Sequence, residues 1–108
     1  MKTDRELLEL AAKAIGVKFY STPDDGRGLC LGCGDSTLWN PLDDDSDALR
    51  LSVRLGIQIW HRPGNRVEGI HKGSVLTKPN AESLNPNPFV ATRRAIVRAA
   101  AEIGEISG

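Results

Sequence analysis

The chain has 108 residues, of which 40% are hydrophobic and 26% charged, a balance typical of one globular domain and not of a disordered chain. No apolar run approaches the ~20 residues that span a bilayer, and the first residues do not resemble a signal peptide. We therefore expect a single compact domain over 1–108 that is cytoplasmic and does not associate with a membrane.

The net charge is zero, but it is unevenly distributed along the chain. Residues 1–47 hold ten acidic and five basic residues, a net charge of −5, whereas residues 48–108 hold nine basic and four acidic residues, a net charge of +5. Such a division can reflect pairing of the two halves within one domain, a self-complementary oligomer, or a basic face for an anionic partner. The simplest interpretation is that opposite charges solvate opposite ends of the domain.

The first predicted helix begins with a capping box, in which Thr3 stands three residues before Glu6. Leucines and alanines recur on one side of this helix, and Gly16 is suited to ending it in a left-handed conformation. The following residues predict short strands over 17–20, 28–32 and 37–39, separated by glycine-containing turns.

The central feature of the sequence is the stretch from Trp39 to Leu51. Trp39 ends a predicted strand, and a proline at position 41 favours an extended conformation for the residue before it. The aspartates from Asp43 to Asp47 offer a helix cap and place negative charge at the positive end of the helix dipole, and we expect Asp44 and Asp47 to have structural roles. We predict a helix from about residue 44 to 55 that ends at Gly56. Its predicted buried arc contains Ala48, Leu49, Leu51, Ser52, Val53 and Leu55.

The second half predicts strands at 57–61, 67–70 and 74–76. Residues 77–88 contain three prolines among asparagines and serines, which indicates a flexible loop. Asn87 and Pro88 are typical of the cap and first position of a last helix, for which Gly104 is the predicted end. The predicted inner stripe of this helix is Phe89, Thr92, Ile96, Ala99, Ala100 and Ile103.

The predicted element order is α-β-β-β-α-β-β-(β)-α. Short turns between strands favour antiparallel pairing, and interleaved helices must bury their apolar faces against the sheet. The predicted class is therefore α+β, as a helix-sheet-helix (α/β/α) sandwich with three helices.

Three segments of the sequence carry a resemblance to a known family. They are Trp39-Asn40-Pro41-Leu42 with the following Asp44 to Leu51 stretch, the closing run from Ala91 to Gly104, and the opening Asp4 to Leu8. In these segments the chain resembles a family of small phage and prophage proteins described as the phage "ABA sandwich" domain. The resemblance implies a layered fold and a phage-encoded protein in a bacterial host. It implies no activity, and no catalytic residue can be transferred from it.

Two cysteines, Cys30 and Cys33, form a CxxC pair whose spacing fits half of a zinc site. The two histidines, His61 and His71, are ten positions apart and do not form the second pair of a zinc motif. The alternative is that both cysteines are ordinary strand and turn residues, which we prefer. A redox role is also disfavoured, because the residues after the pair predict a turn and a strand, not the helix that lowers a thiol pKa.

The aspartates at positions 43, 45 and 47 match the start of a calcium-binding loop, but the later glycine and acidic positions hold Ala48 and Arg54. We therefore interpret them as helix-capping residues, with a loose surface cation site as the alternative. The glycines at 26, 28, 32 and 34 match neither phosphate-binding loop pattern. No catalytic triad or carboxylate pair is evident, so we expect no enzyme activity and no cofactor.

Arg93 is the most informative charged residue. On a helical wheel it falls between Val97 and Ala100, inside the apolar arc of the last helix. Since an unpaired buried charge is very costly, we predict that Arg93 reaches an aspartate of the 43–47 cluster or carbonyl groups near Asn40.

Two pairs of arginines have i,i+4 spacing on predicted exposed helix faces. They are Arg50 with Arg54 and Arg94 with Arg98. Because like charges at this spacing destabilise a helix, an acidic partner would relieve the repulsion. These arginines, or a sheet edge near Trp60, would bind a phage or host protein. The alternative is nucleic acid, although the neutral net charge and few aromatic residues favour it less. The oligomeric state and the biological process are open at this point.

Overall fold

The computed structural model describes residues 3–17, 29–30, 38–62, 66–70, 80–83 and 87–106. Within these ranges the chain forms three helices and five strands. In order they are α1 (Asp4–Ala14), β1 (Leu29–Cys30), β2 (Leu38–Trp39), α2 (Asp45–Leu55), β3 (Gln58–Arg62), β4 (Arg66–Ile70), β5 (Asn80–Ser83) and α3 (Pro88–Ile106). The predicted α+β class is confirmed.

The strands pair antiparallel in two groups. β1 pairs with β2, so that Leu29 lies opposite Trp39. β3, β4 and β5 form a three-stranded sheet with β4 in the middle, and Trp60 of β3 lies opposite Glu68 of β4. Antiparallel pairing agrees with the short connections that the sequence predicted.

The prediction of a loop over 77–88 is wrong at Asn80–Ser83, which pair with β4 as β5. Asparagine, and to a lesser degree alanine and glutamate, are depleted in strands, so this strand depends on pairing with β4 and not on local preference. Of the strand predicted over 17–20, Val17 is not part of a strand, and its N–H bonds to the Ala12 carbonyl over 3.1 Å. Residues 18–20 and the strand predicted over 74–76 lie outside the described residues.

Local capping chemistry determines where the helices begin and end. The Thr3 hydroxyl accepts a hydrogen bond from the Glu6 amide over 3.2 Å, and the Glu6 carboxylate accepts one from the Thr3 amide over 3.3 Å, which confirms the capping box. Gly16 and Gly56 have φ values of 72° and 66° after α1 and α2, respectively. Only glycine adopts this left-handed conformation without a steric penalty, so both helices stop where predicted.

Helix α3 also begins as predicted. The Asn87 side-chain oxygen accepts hydrogen bonds from the amides of Phe89 and Val90, over 2.9 and 3.2 Å, and Pro88 occupies the first helical position. The predicted end at Gly104 is wrong, since α3 continues to Ile106. Gly104 is buried, and its role is in packing between helices.

Helix α3 is the element against which the others pack. It contacts α1, α2 and the three strands of the larger sheet. Ala91 and Ala95 lie with Val67 of β4 in a small apolar cluster, while Ile96 and Val97 belong to the main core together with residues of α1 and α2. The alanines of α3 are small enough to let its neighbours approach closely on several sides.

Two glycines allow the closest of these approaches. A Cβ atom added to Gly69 of β4 would lie 2.5 Å from the Ala95 carbonyl oxygen of α3. A Cβ added to Gly104 of α3 would overlap the Leu10 carbonyl oxygen of α1. Neither obstacle is a flexible side chain, so the sheet and α1 both rest against α3 at positions where a larger residue does not fit.

The described contacts place one helix on the larger sheet. Helix α3 lies on the face that carries Val67 and Gly69, whereas Trp60 belongs to the opposite face and is 43% exposed. Ile59 and His61 alternate with Trp60 along β3 and pair with Gly69 and Val67, so they lie on the α3 side.

Candidate functional site

The corner before α2 is built by the residues that the sequence singled out. The Asn40 amide donates to Asp47 Oδ2 over 3.0 Å, and the Leu42 amide donates to Asn40 Oδ1 over 3.1 Å. The Asp47 amide donates to Asp44 Oδ1 over 3.1 Å, which makes Asp44 the cap of α2. Trp39 is buried in the core next to this corner. The carboxylates of Asp44 and Asp47 therefore accept backbone hydrogen bonds that stabilise this corner and the start of α2.

Arg93 connects α3 to the same corner. Its Nε atom donates to the Leu42 carbonyl over 2.9 Å, and its Nη1 atom donates to Asp45 Oδ1 over 2.6 Å. The Arg93 side chain is 14% exposed, whereas that of Asp45 is 76% exposed. The contact predicted from the helical wheel is present, and it positions the start of α3 against the start of α2.

A groove of about 340 Å³ opens beside this ion pair, between α2, β3 and the start of α3. Ala48 and Ile96 are buried residues that line it, and Ile59 is a partly buried one. Asp45 and Arg93 supply its charged side. A concave, mainly apolar surface with a few polar groups is the usual form of a binding site.

Two bulky apolar side chains form the rim of this groove. Leu49 of α2 is 60% exposed and Phe89 of α3 is 68% exposed. The sequence predicted both in buried stripes, and these predictions are wrong because the two residues lie at the boundary between α2 and α3, which the core does not fill. Val53, also predicted as buried, is 73% exposed on α2. Adjacent exposed apolar side chains of this size commonly mark a site of protein interaction.

At least three of the four predicted binding arginines, Arg54, Arg94 and Arg98, have partners, and the structure describes the contacts of two of them. Arg94 donates from Nη1 to Asp4 Oδ1 over 2.9 Å and so connects α3 to the first turn of α1. Arg54 donates from Nη2 to the Ile15 carbonyl over 3.2 Å, at the end of α1. A cation at that end of a helix also interacts favourably with its dipole. Both side chains thus have a contact that the sequence did not reveal.

The remaining predicted binding residues lie on three different elements. Arg50 is exposed on α2, and Arg98 is partly buried on α3. Trp60 lies on the sheet face opposite α3, where its Nε1 atom donates to Gln58 Oε1 over 3.2 Å. Trp60 is therefore on a different face of the fold from Arg98 of α3.

The predicted metal ligands fall mostly outside the described residues. This applies to Cys33, His71 and the Cys30 side chain, although the Cys30 backbone is part of β1. In the part of the chain that the structure describes, no group of three or more histidine, cysteine or acidic side chains could hold a metal ion. The three aspartates that resemble a calcium loop include Asp45 and Asp47, which bond to Arg93 and Asn40.

Comparison of the chain with protein-family models, curated proteins and solved structures found no match. None of the helices in the described ranges has the length and apolar character required to cross a membrane.

Proposed function

We propose that this chain is a non-enzymatic protein-binding module whose binding site is the groove between α2, β3 and α3. The observation that carries the proposal is the pair of exposed rim residues, Leu49 and Phe89, above a floor containing Ala48 and Ile96. Burial of such side chains by a partner contributes favourable free energy in proportion to the apolar area removed from water.

The partner that fits this groove is a protein segment with a bulky apolar side chain next to a lysine or arginine. The apolar side chain would cover the floor between Leu49 and Phe89. The basic residue would face Asp45, whose carboxylate is largely exposed although one of its oxygens accepts a bond from Arg93. The neighbouring Asp44 is also exposed and adds negative potential.

The proposal includes a phage or prophage accessory role in the bacterial cytoplasm, with a phage or host protein as the partner. The resemblance to the phage "ABA sandwich" proteins supports it, as does the α+β arrangement of three helices with antiparallel strands. The layered α/β/α architecture of that family is part of the proposal. Packing of α3 on one face of the larger sheet supports one of its two helical layers.

Nucleic-acid binding is a weaker second proposal. It would use Arg50 and Arg98 together with Arg54 and Arg94. The contacts of Arg54 with the Ile15 carbonyl and of Arg94 with Asp4 compete with phosphate for both guanidinium groups. Steep weakening of binding with rising salt, caused by counterion release, would distinguish this function from docking into an apolar groove.

A selection from a displayed peptide library tests the proposal and identifies the kind of segment that the groove accepts. The purified wild-type protein serves as bait, and each selected segment is measured again with Phe89→Ser and Ile106→Ser. Phe89 and Ile106 are both on α3, and they are 68% and 74% exposed, so the second variant controls for loss of an exposed apolar side chain.

We expect the selected segments to combine a bulky apolar residue with an adjacent basic residue. Phe89→Ser should weaken their binding about tenfold or more, because burying most of a phenylalanine contributes roughly 1.5–3 kcal/mol. Ile106→Ser should leave it unchanged. Segments that bind Phe89→Ser as well as the wild type would refute the groove as the binding site.

A further inference from the structure

The outer face of α2 has a charge pattern that is complementary to itself. Asp43 to Asp45 make the start of the helix acidic, and Arg50 and Arg54 make its end basic. Two apolar residues accompany these groups on the exposed side of the helix: Leu49, which borders the groove, is 60% exposed, and Val53, which lies between the two arginines, is 73% exposed. A surface of this kind matches a second helix that presents the same charges in the reverse order.

The charged residues at both ends of this face are available to a partner. Within the described part of the chain, the side chains of Asp43 and Arg50 form no hydrogen bond or ion pair, and both residues are exposed. Arg54 is also exposed, and its bond to the Ile15 carbonyl uses one of the five N–H donors of its guanidinium group. Asp43 precedes the cap residue of α2, so its carboxylate is not required for the helix to begin.

We propose that two copies of this chain associate through the outer faces of their α2 helices, which run antiparallel across a two-fold axis beside Leu49. Asp43 lies six positions before Leu49 and Arg54 lies five positions after it. Antiparallel pairing about Leu49 therefore brings Asp43 of each copy towards Arg54 of the other. A two-fold interface uses the same surface on both copies, so a self-complementary face is its natural requirement.

The middle of the face suits the same arrangement. Leu49 of each copy would cover the other across the axis, and Val53 would add apolar area on either side of it. Arg50 would lie near Ser46 of the other copy, whose exposed hydroxyl can accept a hydrogen bond. Like charges are thus kept apart, while the two apolar side chains lose contact with water.

The charge balance of the whole chain agrees with a second copy as the occupant of this face. The net charge is zero, with −5 in residues 1–47 and +5 in residues 48–108, and the change of sign falls within α2. Two neutral molecules do not repel each other as a whole, and their local acidic and basic surfaces attract when antiparallel. The antiparallel dipoles of the two helices add to this attraction.

The interface is expected to be small. A helix of 11 residues has about three turns, and the area that one of its faces can bury is less than the roughly 800 Å² that each partner buries in a stable interface. The association should therefore be reversible and dependent on protein concentration, and it should weaken with salt because its ion pairs are exposed. Because Leu49 belongs to both surfaces, the two grooves of such a dimer lie close to its two-fold axis.

Charge-reversal variants test this proposal directly by sedimentation velocity. Asp43→Arg places an arginine opposite Arg54 of the other copy, and Arg54→Asp places an aspartate opposite Asp43 of the other copy, so each variant alone should dimerise about tenfold or more weakly than the wild type. An equimolar mixture of the two should form a heterodimer, since position 43 of each copy then faces a residue of opposite charge at position 54 of the other. This recovery cannot be produced by a variant that fails to fold.

The double variant Asp43→Arg with Arg54→Asp exchanges the charges within one chain and should dimerise again on its own. Val53→Ser should weaken the dimer, with Ile106→Ser as the control, because the two residues are 73% and 74% exposed. A wild-type protein that remains monomeric over the accessible range of concentration, or a mixture that gains nothing over the single variants, would overturn the proposal. None of these variants changes Phe89, so the outcome is separate from that of the groove experiment.

Discussion

The interaction between Arg93 and the corner before α2 can be tested by the substitution Arg93→Met. Methionine preserves most of the apolar stem of the side chain, so its packing is largely retained while the guanidinium group is removed. The substitution eliminates two contacts, the 2.9 Å bond to the Leu42 carbonyl and the 2.6 Å bond to Asp45.

The two contacts contribute unequally to the free energy of unfolding. Asp45 is 76% exposed, so its ion pair is worth about 0.2–1 kcal/mol. The bond to the Leu42 carbonyl comes from a charged donor that is only 14% exposed, and such a bond contributes roughly 1.5 kcal/mol. We expect Arg93→Met to lower the free energy of unfolding by about 2 kcal/mol, which corresponds to a decrease in melting temperature of roughly 8 °C.

Urea denaturation followed by circular dichroism measures this change. Asp45→Asn removes the ion pair but leaves the donor to the Leu42 carbonyl, so it should cost about 1 kcal/mol or less. Arg50→Met is the control, because Arg50 is an exposed arginine for which no contact is expected to be lost within the fold. If Arg93→Met stays within about 0.5 kcal/mol of the wild type, as an ordinary surface substitution does, the reasoning is refuted.

Other substitutions address the helix ends and the close approaches. Gly69→Ala should lower the free energy of unfolding by about 2 kcal/mol, since its Cβ would lie 2.5 Å from the Ala95 carbonyl oxygen. A Cβ at Gly56 meets no atom within 4 Å, so Gly56→Ala should lower the free energy of unfolding by only about 1 kcal/mol, through the strain of a φ of 66°. Equal losses in urea denaturation would contradict the close approach. Asn87→Ala should cost about 1 kcal/mol by removing the cap of α3, while Asn87→Ser should restore most of it; an unaffected melting temperature in Asn87→Ala would exclude the cap. Arg54→Met should lower the free energy of unfolding in urea denaturation by less than about 0.5 kcal/mol, because the bond from Arg54 to the Ile15 carbonyl is exposed.

Features that depend on a few neighbouring residues were predictable from the sequence. The caps at Thr3 and Asn87, a cap from the aspartate cluster before α2 (at Asp44 in the structure) and the left-handed glycines at 16 and 56 each follow from chemistry within one helical turn. The contact of Arg93 was predictable as well, because a charge inside an apolar arc demands a partner and the aspartate cluster was the obvious acidic candidate.

Features that depend on distant segments were not predictable. Helical periodicity placed Leu49, Val53 and Phe89 in apolar arcs, but burial requires another element to cover that arc, and none in the described ranges does. Strand β5 exists through its pairing with β4, which no local propensity of Asn80–Ser83 indicates. Gly104 looked like a helix end, whereas its lack of a side chain serves the approach of α1. The groove is the product of these non-local arrangements.

The measurement that tests the central claim most directly is an NMR titration of the ¹⁵N-labelled protein with a segment obtained from the peptide selection. The account predicts that the largest chemical-shift changes occur at Ala48, Leu49, Phe89 and Thr92, around the groove. Changes concentrated at Gln58, Trp60 and Glu68, on the sheet face opposite α3, would contradict the groove as the docking site.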